Sequence, residues 1–286
     1  LTDPMASAEV SMESVAGRVL RVARWRLDEE SDHPPILFFN GIGANIEAVA
    51  PMAEALSDRG FIMFDMPGTG GSPDPLVPYN TVTMAWTATQ LLDRFGLDEV
   101  DVMGISWGGG MAQHFAIQHP GRTRRLVLIA TSAGMLMVPG NPSALTKMAN
   151  PRRYIDPEFM AKHFETLYGG ALGNELAAGG GKSDHISRLT PPSPRGYTYQ
   201  LLAMLGWTSA PALPFMKKQT LIMMGDDDQI VPVVNGKFLA SLIPNSDLQI
   251  IEGGGHLFLM SHQDESVGAI RDFLDAPDEM DVSEAA

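Results

Sequence analysis

The chain has 286 residues, 44% of them hydrophobic and 19% charged, and a formal net charge of −14; that is enough apolar material for one large α/β domain or two small ones. So acidic a chain repels phosphate backbones, which argues against nucleic acid as a partner. Without a single cysteine it can form no disulfide, thiolate metal site or cysteine nucleophile, and no apolar run approaches the ~20 residues that cross a bilayer.

In chain order, Leu1 to Met5 lacks the basic start and apolar stretch of a secretion signal, and the expected setting is cytoplasmic. Apolar runs then alternate with segments of helical periodicity, the pattern of a mostly parallel sheet covered on both faces. Val15 to Trp25 reads as an opening strand with arginines interspersed, and Ile36 to Phe39 and Phe61 to Phe64 as short buried strands. Ile46 to Arg59 and Thr81 to Phe95 read as helices. Val100 to Ile105 is a predicted strand that runs into Gly104-Ile105-Ser106-Trp107-Gly108. The helix predicted after it, Trp107 to His119, spaces Met111, Ala112, Phe115 and Ala116 so as to bury one face. Leu126 to Ala130 is the next strand.

Between Thr131 and Gln219 the strand rhythm stops. The interval is rich in prolines (Pro139, Pro142, Pro151, Pro157, Pro191, Pro192, Pro194) and in large apolar residues, and it is too long for a bare loop. It reads as a helical insertion, residues 134–215, forming a lid over the carboxyl edge of the sheet, with Gly169-Gly170 and Gly179-Gly180-Gly181 as mobile points. The core is then residues 1–133 and 216–275. Its second part holds predicted strands at Thr220 to Met224 and Leu248 to Ile251, and helices at Val234 to Leu242 and Asp264 to Leu274. Residues 276–286, acidic and nearly devoid of large apolar side chains, read as a disordered tail.

The strand, sharp turn and helix around Ser106 place a hydroxyl at the apex of a crowded turn, where flanking glycines avoid collisions. A hydroxyl attacks at neutral pH only with a base beside it and a carboxylate behind that base. Of seven histidines, His256 stands in a glycine-rich loop, Gly253-Gly254-Gly255, after the last predicted strand, from which it can reach over the sheet. The carboxylate belongs after the preceding strand, where Asp226, Asp227 and Asp228 follow one another. Chemistry alone leaves these three open; the spacing Gly225-x-x-Asp228-x-x-x-Pro232 resembles the acid loop of α/β-hydrolases and singles out Asp228. Three consecutive side chains diverge, so no metal site is expected there. For the developing oxyanion, the N–H of Trp107 and that of Ile42, in Asn40-Gly41-Ile42-Gly43, are the expected donors. Ile46 breaks a dinucleotide fingerprint begun by Gly41 and Gly43, and Leu176 breaks a phosphate loop ending at Gly181-Lys182-Ser183.

These motifs resemble the α/β-hydrolase superfamily, and within it the intracellular depolymerases of medium-chain-length poly(3-hydroxyalkanoates). The resemblance is carried by Phe39 to Asn45, Phe64 to Ser72, Gly104 to Gly109, Gly225 to Asp228 and Gly255 to Leu259. Inside the insertion it is carried by Met137-Val138-Pro139-Gly140, Pro151-Arg152-Arg153-Tyr154 and Leu205-Gly206-Trp207-Thr208-Ser209. Asn40 departs from the histidine of many superfamily members but agrees with this family. The resemblance implies an α/β-hydrolase fold with Ser106 as nucleophile, Asp228 as acid and His256 as base. It implies attack on polyester bonds at the surface of storage granules, without a cofactor. Met135, Met137, Tyr168 and Trp207, in the apolar insertion, are candidates to contact the substrate. Two alternatives share the motifs: a small-ester carboxylesterase, lactonase or cofactor-free perhydrolase, and a non-catalytic granule or ligand-binding module.

Overall fold

The structure, a computed structural model, describes residues 3–29, 31–148, 150, 152–170 and 188–277; the glycines at 179–181 and the tail from 278 lie outside them. The predicted opening strand is a hairpin. Strands β1 (Glu9–Val15) and β2 (Arg18–Trp25) pair antiparallel, Val15 opposite Arg18, around Ala16-Gly17 with φ of 50° and 71°. β1 escaped the apolar reading because it is an edge strand that leaves Val10 and Met12 exposed; backbone pairing with β2 and burial of Val15 hold it.

Strands β3 (Ile36–Phe39), β4 (Phe61–Phe64), β5 (Val100–Ile105), β6 (Thr123–Ile129), β7 (Thr220–Gly225) and β8 (Ser246–Ile251) complete one eight-stranded sheet in the order β1-β2-β4-β3-β5-β6-β7-β8. Only β2 opposes the rest. Helices α1 (Ile46–Ala55), α2 (Thr81–Arg94) and α3 (Trp107–Gln118) follow β3, β4 and β5. α1 stops short of Arg59 because Leu56 leaves helical geometry (φ −92°, ψ 53°). Between β6 and β7 the described residues form α4 (Pro142–Met148), α5 (Arg152–Ile155), α6 (Pro157–Tyr168) and α7 (Pro194–Met204), and Gly134 pairs with Thr208 in a single bridge. The chain ends in α8 (Val234–Leu242), α9 (Phe258–Ser261) and α10 (Gln263–Asp275).

Alternation along the central strands builds two cores. Leu37, Phe39, Val102, Leu128 and Ile222 point to the face covered by α2, α3 and α8, while Phe38, Met103, Val127 and Met223 point to the face covered by α1 and α10. With both faces buried, these strands read as unbroken apolar runs. The first core extends into the segment between β6 and β7 through Met160, Phe164, Leu167 and Tyr168 of α6. Parallel strands also gather their following loops at one edge. The turns after β3, β5, β7 and β8, which carry the motif residues, therefore meet there.

α7 closes on that edge at the loop after β4. A Cβ on Gly196 would lie 2.4 Å from the carbonyl oxygen of Gly68, and Ser193 N–H donates to the same oxygen at 2.8 Å. Two glycines are needed for so close an approach of two backbones.

Candidate active site

Ser106 sits between an extended strand and a helix at φ 55°, ψ −120°, a conformation that costs a non-glycine residue about 1–3 kcal/mol. Its surroundings hold it there. The N–H of Ser106 donates to Ile129 O at 2.8 Å, still within the sheet, and its carbonyl accepts from Gly109 N at 2.9 Å and from Thr131 Oγ1 at 2.7 Å. Gly108 lets the first turn of α3 lie against the end of β3: a Cβ there would be 2.0 Å from Phe39 O.

The acid loop follows β7 and separates its three aspartates by direction. Asp228 turns inward, its side chain fully buried. Its Oδ1 accepts from the N–H groups of Ile230 and Val231 at 2.8 and 2.9 Å, and its Oδ2 lies 2.7 Å from His256 Nδ1. With Nδ1–H donating to the carboxylate, the other ring nitrogen is the basic one. Asp226 and Asp227 are exposed and act as ties: Asp226 Oδ1 accepts from Gly253 N at 2.7 Å, and Asp227 Oδ2 from Gly170 N at 2.8 Å. The first tie holds the histidine loop and the second holds the end of α6. His256 N–H donates to Tyr168 O at 2.6 Å, so the base is docked on α6 by its own backbone.

Among the other described histidines none lines the cavity that holds His256. His114 accepts from Trp207 Nε1 at 3.0 Å, and burial pushes its pKa down. Burial also lowers His119. His33 faces Asp275, His163 packs on Phe159 and His262 meets Ser261; His185 lies outside the described residues.

The loop after β3 is shaped by Asn40, whose Oδ1 accepts from Gly41 N at 2.8 Å and whose Nδ2 donates to Asn45 O at 2.9 Å. It runs beside the serine: a Cβ on Gly41 would lie 3.9 Å from Ser106 Cβ. Ile42 lines the cavity with Ser106. Trp107 opens α3, so its N–H belongs to the first-turn donors without an intrahelical acceptor. Both expected oxyanion segments are tied to one residue that the sequence reading missed. Gln200, buried on α7, accepts from Gly43 N through Oε1 at 2.9 Å and from the Trp107 indole through its carbonyl at 2.9 Å. A glutamine in a distant helix carries no motif that would mark it.

Ser106 and His256 line one cavity. Of the four expected substrate contacts, Tyr168 lines it. The other three lie outside the lining: Met135 is 64% exposed, Met137 packs on the core near Ser132, and Trp207 bonds His114 and packs on Gly110 and Gly134. Trp207 borders α3 through Gly110 and His114. The apolar wall is formed instead by Val49, Met148, Leu189, Leu257, Leu259 and Met260, with Arg153 among them. The run Leu257 to Met260 follows His256 directly, a proximity that could have marked it. Among the described residues, one His/Asp group is tight enough to hold a cation, His33, Asp58 and Asp275. It is not part of this cavity, and Arg59 Nη2 already lies 2.7 and 2.6 Å from its two carboxylates.

A family model described as the alpha/beta hydrolase fold matches residues 34–263. A poly(3-hydroxyalkanoate) depolymerase of Ectopseudomonas oleovorans is 44% identical over 243 residues, 84% of each chain. A 2-hydroxymuconate semialdehyde hydrolase of Pseudomonas putida is 29% identical over 285 residues, 95% of this chain and 96% of its own. Among solved structures, an esterase from Exiguobacterium antarcticum superposes with a TM-score of 0.76 at 20% identity, covering 94% of this chain and all of its own; that likeness speaks to fold alone.

Proposed function

The chain belongs to the α/β-hydrolase family, and we propose that it is a poly(3-hydroxyalkanoate) depolymerase working through Ser106, His256 and Asp228. The observation that carries the reading is the buried Asp228–His256 pair, 2.7 Å apart, whose imidazole lines the same cavity as the strained Ser106. It is joined by the 44% identity to a depolymerase over most of both chains.

In this mechanism the free ring nitrogen of His256 takes the Ser106 proton as the hydroxyl oxygen attacks an ester carbonyl. Asp228 fixes the imidazole tautomer and stabilises its cation, its own orientation held by two backbone N–H groups. The N–H groups of Trp107 and Ile42 receive the negative charge that develops on the carbonyl oxygen. His256 then gives its proton to the departing alkoxide, and water releases the acyl group from Ser106 through the same base. Apolar walls rich in Leu and Met suit alkyl side chains of varied length. Helices α4 to α7 act as a lid whose inner surface supplies Met148 and Tyr168, and the substrate is met at the surface of a polyester granule in the cytoplasm.

The deciding experiment offers the purified protein a latex of poly(3-hydroxyoctanoate) and, separately, a short nitrophenyl ester, with products identified by mass. Release of 3-hydroxyoctanoate units from the latex is expected. Turnover of the short ester with an intact latex would replace the polymer reading by that of a small-ester hydrolase.

A further inference from the structure

We propose that one flank of the molecule, centred on the outer side of α7, is the face by which the protein settles on a solid aliphatic polyester. The inference rests on the depolymerase reading and deepens it, by naming where the polymer phase is met as distinct from the ester that is cut. A surface helix ordinarily turns its leucines inward. α7 does the reverse: Gly196, Gln200 and Ala203 are buried, while Leu201 and Leu202 are exposed, as is Leu205 just past its end, at 78%. Met135 and Leu136 are exposed beside them, because Met135 N–H donates to Trp207 O at 2.8 Å and Gly134 pairs with Thr208. Large apolar side chains grouped in this way on a surface mark a site of contact.

Charge says what this face accepts. Residues 75–92, 102–121, 126–146 and 196–216 contain no Asp, Glu, Lys or Arg, in a chain of which 19% is charged. The fold brings parts of all four stretches together. Gln118 on α3 donates through Nε2 to Val82 O of α2 at 3.3 Å. Trp207, beyond the end of α7, bonds His114 of α3 at 3.0 Å and accepts from Met135, which follows β6. The formal charge of −14 is therefore carried by the rest of the chain.

An uncharged apolar face fits an uncharged partner. Helices that lie on membranes carry Lys and Arg for anionic head groups, and these four stretches have neither. A second copy would bring another −14 against the first. It would also find five large exposed apolar side chains here, where a stable dimer uses about 20–30 residues a side. A polyester of 3-hydroxy acids is neutral along its length and shows alkyl side chains at its surface, an extended apolar plane without charges to match. The two sides of α7 then serve two ends. Its leucines hold the polymer outside, and Gln200 holds Gly43 N and the Trp107 indole within.

The test measures adsorption to a latex of poly(3-hydroxyoctanoate), as protein depleted from solution, beside turnover of a soluble nitrophenyl ester. Leu201→Gln combined with Leu205→Gln should weaken adsorption about ten- to a hundredfold, as two leucines lose their burial against the polymer, and leave turnover of the soluble ester within about twofold. Val10→Gln combined with Met12→Gln removes two exposed apolar side chains from the edge strand β1 and should leave adsorption as it is. Melting curves check that both variants fold. Adsorption should also persist from low to high salt, because no charge pair carries it. Equal adsorption by the α7 variant and the wild type, an equal fall in the β1 variant, or adsorption that collapses in salt overturns the assignment alone. So does binding to phosphatidylglycerol vesicles as tight as to the latex, or a dimer in sedimentation that the α7 substitutions dissolve. A latex bound through this face but left intact overturns the depolymerase reading and leaves the face assigned.

Discussion

A carboxylate orients an imidazole well only if its own rotation is blocked, and Asp228 meets that condition through the two N–H groups on Oδ1. Replacing Ser106 by alanine should lower ester turnover roughly a million-fold if the three side chains act as a unit, and Asp228→Asn should lower it about ten-thousand-fold through the wrong tautomer. Nitrophenyl-ester assays, with thermal melting to exclude misfolding, check both; turnover that survives Ser106→Ala would remove the mechanism. Asp65 behaves differently. Burial pushes its carboxyl up to about 6, against the pull of N–H groups from Gly71 and Ile46 and of Arg21. The folded chain thus keeps this proton to a higher pH than the unfolded one, whose carboxylate titrates near ~4. Stability from this group therefore falls as pH rises from about 4 to about 6 and is flat above. The difference in unfolding free energy between wild type and Asp65→Asn should decline by about 1.4 kcal/mol per pH unit across that window. Urea titrations at several pH values check it, and a difference that grows with pH would contradict it.

At the scale of elements, the strand–turn–helix around Ser106 depends on backbones that nearly touch. Gly108→Ala would press a methyl onto Phe39 O at 2.0 Å and should cost about 1–3 kcal/mol, the range for overpacking, seen as a lower urea midpoint with unchanged slope. α7 matters through Gln200, which holds the β3 loop and the Trp107 indole. Gln200→Leu keeps the backbone carbonyl that holds the indole but removes the acceptor of Gly43 N; it should loosen the β3 loop that carries Ile42 and reduce kcat by about ten- to a hundredfold, less than outright loss of a donor, with little change in KM; a change confined to KM would assign Gln200 to binding. Elements buried on both faces were legible as apolar runs, which is why β3, β4, β5 and β7 stand where hydrophobicity placed them. β1 was not, because an edge strand shows its apolar side chains to water. The ends of α1 and β6 were set by local dihedral changes and ladder pairing that composition does not register.

Across the whole molecule, the last helix is clamped to the sheet by arginines. Arg124 holds Asp101 through two bonds of 2.9 and 2.6 Å and Leu274 O at 2.9 Å, and Arg125 donates to Phe273 O and Ala276 O. Arg124→Ala leaves the Asp101 carboxylate buried without its guanidinium and should cost about 3–5 kcal/mol, a fall of about 2–4 °C in melting temperature for each kcal/mol. The order of elements, the two-faced sheet and the strand–turn–helix at Ser106 were written in the chain itself, because local periodicity and turn chemistry act between near neighbours. Packing alone decided which of three adjacent aspartates turns inward, which side of the segment between β6 and β7 walls the cavity, and that Gln200 ties the β3 loop to α3. Those outcomes depend on which surfaces meet across distant parts of the chain, and a one-dimensional pattern holds no record of such meetings.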